Sequence, residues 1–107
     1  MTIIEITDKT FENEVICSNI PVLVKFYADW CQPCKNFSPM YERASENYEE
    51  FKFTQINIDD NDNCRNDFNI RSIPTILIFE SGKEIKRINQ GLKYYELEKE
   101  INLIKKN

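Results

Sequence analysis

The stretch Val22–Pro39, VLVKFYADWCQPCKNFSP, decides how the chain is read. It opens as a compact apolar run, the mark of a strand buried on both faces of a sheet. It closes on residues spaced for a helix. Two cysteines, Cys31 and Cys34, stand at the changeover with two residues between them. The first-turn N–H groups of a helix have no intrahelical acceptor, and with the helix dipole they favour a thiolate. Cys31 is placed to be that thiolate. Cys34 follows three positions later, almost one turn on, so its sulfur returns beside the first. Pro33 fits between them, because a first-turn N–H is unpaired in any case. The pattern predicts a dithiol–disulfide exchange centre, with an attacking thiol and a resolving thiol in reach. One residue is out of keeping: Lys25, a charge inside the apolar run.

The flanking sequence supplies the rest of the frame. TIIEIT (2–7) is rich in β-branched residues and reads as a strand. TFENEVICS (10–18) reads as a helix with Phe11, Val15 and Ile16 on one face. From about Cys31 to Phe51, the apolar positions Phe37, Tyr41, Ala44, Tyr48 and Phe51 recur at helical spacing, with a kink expected at Pro39. KFTQINI (52–58) reads as a strand, and DNDNCRNDFNI (60–70) as a loop with a short helix. TILIFE and EIKRIN flank SGK (81–83), a hairpin turned at Gly82. YYELEKEINLIKKN (94–107) is a last helix with Tyr94, Leu97, Ile101 and Ile104 on one face. Lys105 and Lys106 in its final turn suit the dipole. This order predicts an α/β fold: a central mixed β-sheet flanked by helices on both faces, as a single domain over residues 1–107.

Composition narrows the function. The chain has 107 residues and a net charge of −4, which argues against nucleic acid, whose phosphates call for clustered Lys and Arg. No apolar stretch approaches the roughly 20 residues that cross a bilayer. The first residues have neither a basic n-region nor a long apolar h-region, so no secretory signal is expected and the cytoplasm is. There are four cysteines and no histidine. A metal site is not expected, because only Cys31 and Cys34 form a close pair. A His-activated thiol is excluded. Cys17 and Cys64 stand alone and read as small packed hydrophobes.

The segments FYADWCQPCK (26–35), SPMY (38–41), INIDD (56–60), IRSIPTILIF (70–79) and SGK with NQGL (89–92) together resemble the thioredoxin family, over essentially the whole chain. The resemblance implies the thioredoxin-like fold and a protein dithiol–disulfide oxidoreductase that reduces disulfides of partner proteins. It implies Cys31 as nucleophile and Cys34 as resolving thiol, with Ile73–Pro74 a cis-proline loop facing them. It makes Trp30, Gln32, Pro33, Ile73, Pro74 and Gly91 a docking patch, where an extended client segment adds as a strand. Gly91 is also expected to serve a tight turn. No bound cofactor is implied. The partners implied are disulfide-containing client proteins and a flavoprotein thioredoxin reductase, for a cytoplasmic monomer.

Two departures from the family pattern stand out. Gln32 occupies the position after the first cysteine, where the family usually has glycine. Lys25 stands where the family typically has a buried aspartate, and Gln55 where a lysine accompanies that aspartate. Lys25 either extends its stem to water or stays near the sulfurs, where a positive charge favours the thiolate. These departures favour a second reading, a specialised oxidoreductase with one dedicated partner. From other classes, a non-catalytic binding module, against which the intact WCQPC argues, and a cluster- or zinc-binding dimer stay open.

Overall fold

Residues 3–105 are described by a computed structural model. Its strands are β1 (Ile3–Glu5), β2 (Val22–Tyr27), β3 (Lys52–Asn57), β4 (Thr75–Glu80) and β5 (Lys83–Ile88). Its helices are α1 (Gln32–Asn47), α2 (Asp62–Asp67) and α3 (Tyr94–Lys105). The ends of two expected elements, Thr2 and Lys106–Asn107, lie outside the described residues. The strands form one sheet in the order β1-β3-β2-β4-β5. β3 runs parallel to both β1 and β2, β4 antiparallel to β2, and β5 antiparallel to β4. This is the mixed sheet expected when helical crossovers join the first strands and a hairpin the last.

β2 lies at the centre, and the alternation of its side chains divides the core. Val22, Val24 and Phe26 join Phe11, Val15, Ile56, Leu77 and Phe79 in one cluster. Leu23 joins Phe37, Tyr41, Phe53, Ile76, Ile78, Leu97 and Ile101, the cluster that holds α1 and α3. Lys25 has the same parity as Leu23 and therefore points to the α1 face. Because both faces are covered, β2 shows a nearly continuous apolar run instead of alternation.

Two elements differ from expectation. Residues 12–16 form a π-helical turn, closed by the Cys17 N–H donating to the Glu12 carbonyl at 2.9 Å. Phe11 and Val15 are buried as expected. α1 stops at Asn47, short of Phe51. The two acidic residues that follow, Glu49 and Glu50, would oppose the negative end of the helix dipole if the helix continued. Tyr48 and Phe51 are buried nonetheless, so the apolar stripe outruns the helix. Pro39 lies inside α1 on its exposed side, with no N–H to offer the carbonyl one turn back.

The β4–β5 turn follows its chemistry. Ser81 and Gly82 both have positive φ, 54° and 79°, as the two-residue type I′ hairpin turn requires. A Cβ on Gly82 would stand 3.1 Å from the Ile16 carbonyl oxygen. Among the described residues, no helix is long and apolar enough to cross a membrane.

Candidate active site

The site forms where β2 ends and α1 begins. Cys31 is the N-cap of α1, in extended backbone, with Pro33 in the first turn. The sulfurs of Cys31 and Cys34 are joined as a disulfide, with their Cα atoms 5.3 Å apart. The Cys34 N–H, one of the unpaired first-turn donors, points at the Cys31 sulfur at 3.2 Å. The helix start thus aims a fixed partial positive charge at the sulfur of Cys31. Both residues are nearly buried, at 3% and 2% exposure.

Opposite them lies the Ile73–Pro74 loop, whose peptide bond is cis. The Ile73 carbonyl oxygen is 3.7 Å from the Cys31 sulfur, and Ser72 Oγ donates to the Asn89 carbonyl at 3.4 Å. That contact ties this loop to the one carrying Gly91. Gly91 lies outside the left-handed region, so the expected turn is not what calls for glycine there. A Cβ at Gly91 would stand 3.2 Å from the Phe37 Cβ, and close approach to α1 is the reason. Trp30 is 68% exposed, with its indole N–H donating to Asp59 at 2.8 Å. Gln32 and Pro33 are exposed beside it, and the Gln32 amide donates along the helix to Asn36 at 2.9 Å. The structure therefore sets Gln32 and Pro33 between the two cysteines in the first turn of α1 and Ile73 opposite Cys31, whereas Gly91 packs against Phe37 of α1.

Lys25 lies beneath. It is 3% exposed, so its stem does not carry the amine to water. Its Nζ donates to Ser38 Oγ at 3.1 Å, and Ser38 Oγ donates to the Cys34 carbonyl at 3.1 Å. The rings of Tyr41 and Tyr27 lie 5.0 and 5.7 Å from Nζ, within cation–π range. Lys25 forms no ion pair among the described residues. Burial lowers its pKa below the ordinary lysine value, against the opposing fields of Glu42 and Glu5. Lys25, Ser38 and Cys34 line one cavity of about 370 Å³.

The remaining cysteines part company. Cys64 is buried, and burial followed by the hydrogen bond and charge of Asp8 pushes its thiol up to about 12. Cys17 is exposed at the end of the π-helical turn, which corrects its reading as a packed hydrophobe. Two residues of the site escaped the sequence reading. Ser38 lies one helical turn after Cys34, a spacing visible in the sequence. Asp59 follows β3 as Trp30 follows β2, and the parallel pairing of Tyr27 with Asn57 brings the two together.

A disulfide between two cysteines at a helix start, in a sheet of this order, defines a dithiol–disulfide oxidoreductase. The family model for thioredoxin matches residues 2–103. A thioredoxin of Porphyra purpurea is 40% identical over 103 residues, covering 95% of this chain and 96% of that one. A thioredoxin of Pyropia yezoensis is 43% identical over 89 residues, 82% of this chain and 83% of its own. Thioredoxin 1 of a Nostoc species is 39% identical over 85 residues, 78% and 79% of the two chains. The chain belongs to the thioredoxin family, as a thioredoxin-type protein-disulfide reductase.

Proposed function

We propose that Cys31 attacks the client disulfide and Cys34 resolves the mixed disulfide that results. The Cys31 thiolate bonds to one client sulfur, and the client S–S bond breaks. The other client sulfur leaves as a thiolate and takes up a proton. Cys34, losing its proton, then bonds to the Cys31 sulfur. The bond from Cys31 to the client breaks, and the second client thiolate leaves. Two electrons pass from the dithiol to the client. The observation that carries this assignment is the opposite setting of the two residues. The Cys31 sulfur receives the Cys34 N–H and lies beside the Ile73 carbonyl, whereas Cys34 lines a cavity shared with Lys25 and Ser38.

Trp30, Gln32, Pro33, Ile73, Pro74 and Gly91 serve as the docking patch in this reading, supported by the exposure of Trp30, the place of Gln32 and Pro33 between the cysteines and the Ile73 carbonyl beside the Cys31 sulfur. Lys25 tunes the pair by placing a basic group, not an anion, on the inner side of the sulfurs. Disulfide-containing proteins are the clients, and a flavoprotein thioredoxin reductase restores the dithiol. No bound cofactor enters the cycle, since the two sulfurs carry both electrons. The protein works as a single domain and a monomer. Its exposed large apolar side chains, such as Ile4 of β1, Ile85 of β5 and Leu103 of α3, are spread over separate elements. Unpaired thiols at Cys17 and Cys64 support a reducing, cytoplasmic setting.

The test is reduction of insulin driven by dithiothreitol. Wild-type protein should speed precipitation of the freed insulin chain, and Cys31→Ser and Cys34→Ser should not. No acceleration by folded wild-type protein would overturn general reductase activity and favour the dedicated-partner reading suggested by Gln32 and Lys25.

A further inference from the structure

The resolving step raises a question of proton balance. Cys34 must give up a proton to attack, it is 2% exposed, and no histidine exists in the chain to take it. The cavity that Cys34 lines offers one basic nitrogen set deep in the fold, that of Lys25.

The hydrogen-bond geometry there has a direction. The single hydroxyl hydrogen of Ser38 is spent on the Cys34 carbonyl. Toward Lys25, Ser38 can only accept, so the lysine donates one N–H to it whether charged or neutral. A neutral amine held in this way keeps its lone pair free. Among the described residues, the other partners found for Nζ are the rings of Tyr27 and Tyr41, which attract a cation but donate nothing to a lone pair. The lone pair is left for the cavity.

We propose that Lys25, as the uncharged amine, accepts the Cys34 proton when this thiol attacks the mixed disulfide, and that Ser38 is the residue that positions it. The inference rests on the assignment of Cys34 as resolving thiol. The proton moves from Cys34 Sγ to Lys25 Nζ, directly or through water in the cavity. The Cys34–Cys31 bond forms, the client thiolate leaves, and the ammonium then returns its proton to the cavity water. While the ammonium lasts, it stabilises the thiolate that made it.

The surroundings set the balance between the two forms of the amine. From α1, Glu42 favours the ammonium, and from β1, Glu5 does the same. Tyr27 of β2 and Tyr41 of α1 face Nζ with their rings, and burial raises both phenol pKa values far enough to keep them neutral. Asp29 and Lys35 stand at the cavity wall with opposite charges, and Gln55 of β3 is neutral. No carboxylate forms an ion pair with Lys25 among the described residues. Burial therefore outweighs the two carboxylate fields and moves the balance toward the amine relative to an ordinary lysine.

The test separates the two chemical steps by stopped flow, with Cys17→Ala and Cys64→Ala throughout so that only the pair reacts. Reduced protein is mixed with dithiobis(nitrobenzoate). The first thionitrobenzoate released reports attack by Cys31, and the second reports resolution by Cys34. Lys25→Met should slow the second release about tenfold or more near neutral pH. The deficit should shrink in alkali, where Cys34 ionises unaided. Ser38→Ala should slow the same phase several-fold, and Ser38→Thr should restore it. The first phase, read in alkali where Cys31 is a thiolate in every variant, should be unchanged. Titration of the Lys25 side chain by NMR in the wild-type dithiol protein needs no variant, and should place its ionisation below the ordinary lysine range. An unaltered second phase in folded Lys25→Met, or a Lys25 that ionises like an exposed lysine, would overturn the inference and leave the cysteine roles standing. First-phase release that survives Cys31→Ser would instead overturn the cysteine roles, and the inference with them.

Discussion

Lys25 is the residue whose chemistry differs most from its surroundings. A buried ammonium without a counter-ion costs several kcal/mol in desolvation, and here two ring faces and one hydroxyl offset part of that cost. A carboxylate in its place would set a negative charge beside the sulfurs. Lys25→Asp should therefore raise the apparent pKa of Cys31, whereas Lys25→Met, which replaces a neutral amine without adding charge, should leave it nearly unchanged. The pH dependence of Cys31 alkylation by iodoacetamide measures both, and a Lys25→Asp profile that superimposes on wild type would show that the sulfurs do not feel a charge at this position. The other two cysteines give a contrast in reactivity. In the oxidised protein, exposed Cys17 should alkylate readily at neutral pH, while Cys64, buried against Asp8 with its thiol pushed up to about 12, should react only on unfolding. Mass spectrometry of the alkylated protein, with and without denaturant, reads this directly. Replacing both by alanine should leave disulfide reduction near wild type, and a large loss with the fold intact would mean a second redox site. Cys31, Cys34 and the oddity of Lys25 were legible in the sequence because each breaks or makes a local pattern. The exposure of Cys17 was not, since a lone cysteine looks the same in either setting.

At the scale of elements, what was legible followed periodicity and turn chemistry. The five strands stand where their apolar runs placed them, and the hairpin turns at Ser81–Gly82. The extent of α1 was misjudged because Tyr48 and Phe51 continue the helical spacing while buried from a turn beyond the helix. Burial, and not backbone, was what the spacing reported. The short helix α2 depends on a partner far away in sequence. Its N-cap, Asn61, makes no side-chain cap bond. Instead Asp8 accepts the N–H of Cys64 at 2.9 Å and of Asn63 at 3.1 Å, while Asn61 Oδ1 accepts the Asp8 N–H at 2.8 Å. Partial burial opposes ionisation of Asp8, but these donors outweigh it and hold its carboxyl below the ordinary value. A carboxyl lowered in the folded state contributes stability above its unfolded pKa, and that contribution is lost as pH falls through the folded one. Asp8→Ala should thus cost about 1 kcal/mol near neutral pH, or about 5 °C in Tm for a domain of this size. The difference from wild type should shrink in acid. Thermal melts of both proteins across pH check this, and a constant difference at every pH would show that the charge plays no part.

For the whole molecule, function follows from where the sheet order brings its loops. β2 is central, so its end delivers Cys31 between the loop after β3, which holds Trp30 through Asp59, and the loop before β4, which presents Ile73. The opposite exposure of Trp30 and Lys25 follows from the same placement: one rides the rim of the sheet, the other lies under α1. The central claim is that this arrangement divides labour between the two cysteines, one facing the client and one facing inward. Trapping tests it most directly. Reduced Cys34→Ser and Cys31→Ser proteins are exposed to a disulfide-bonded client, then separated without reductant and examined for mixed disulfides. Cys34→Ser should accumulate a client joined through Cys31, because nothing remains to resolve it, and Cys31→Ser should hold almost none. Equal trapping by the two variants, or stronger trapping by Cys31→Ser, would contradict the account.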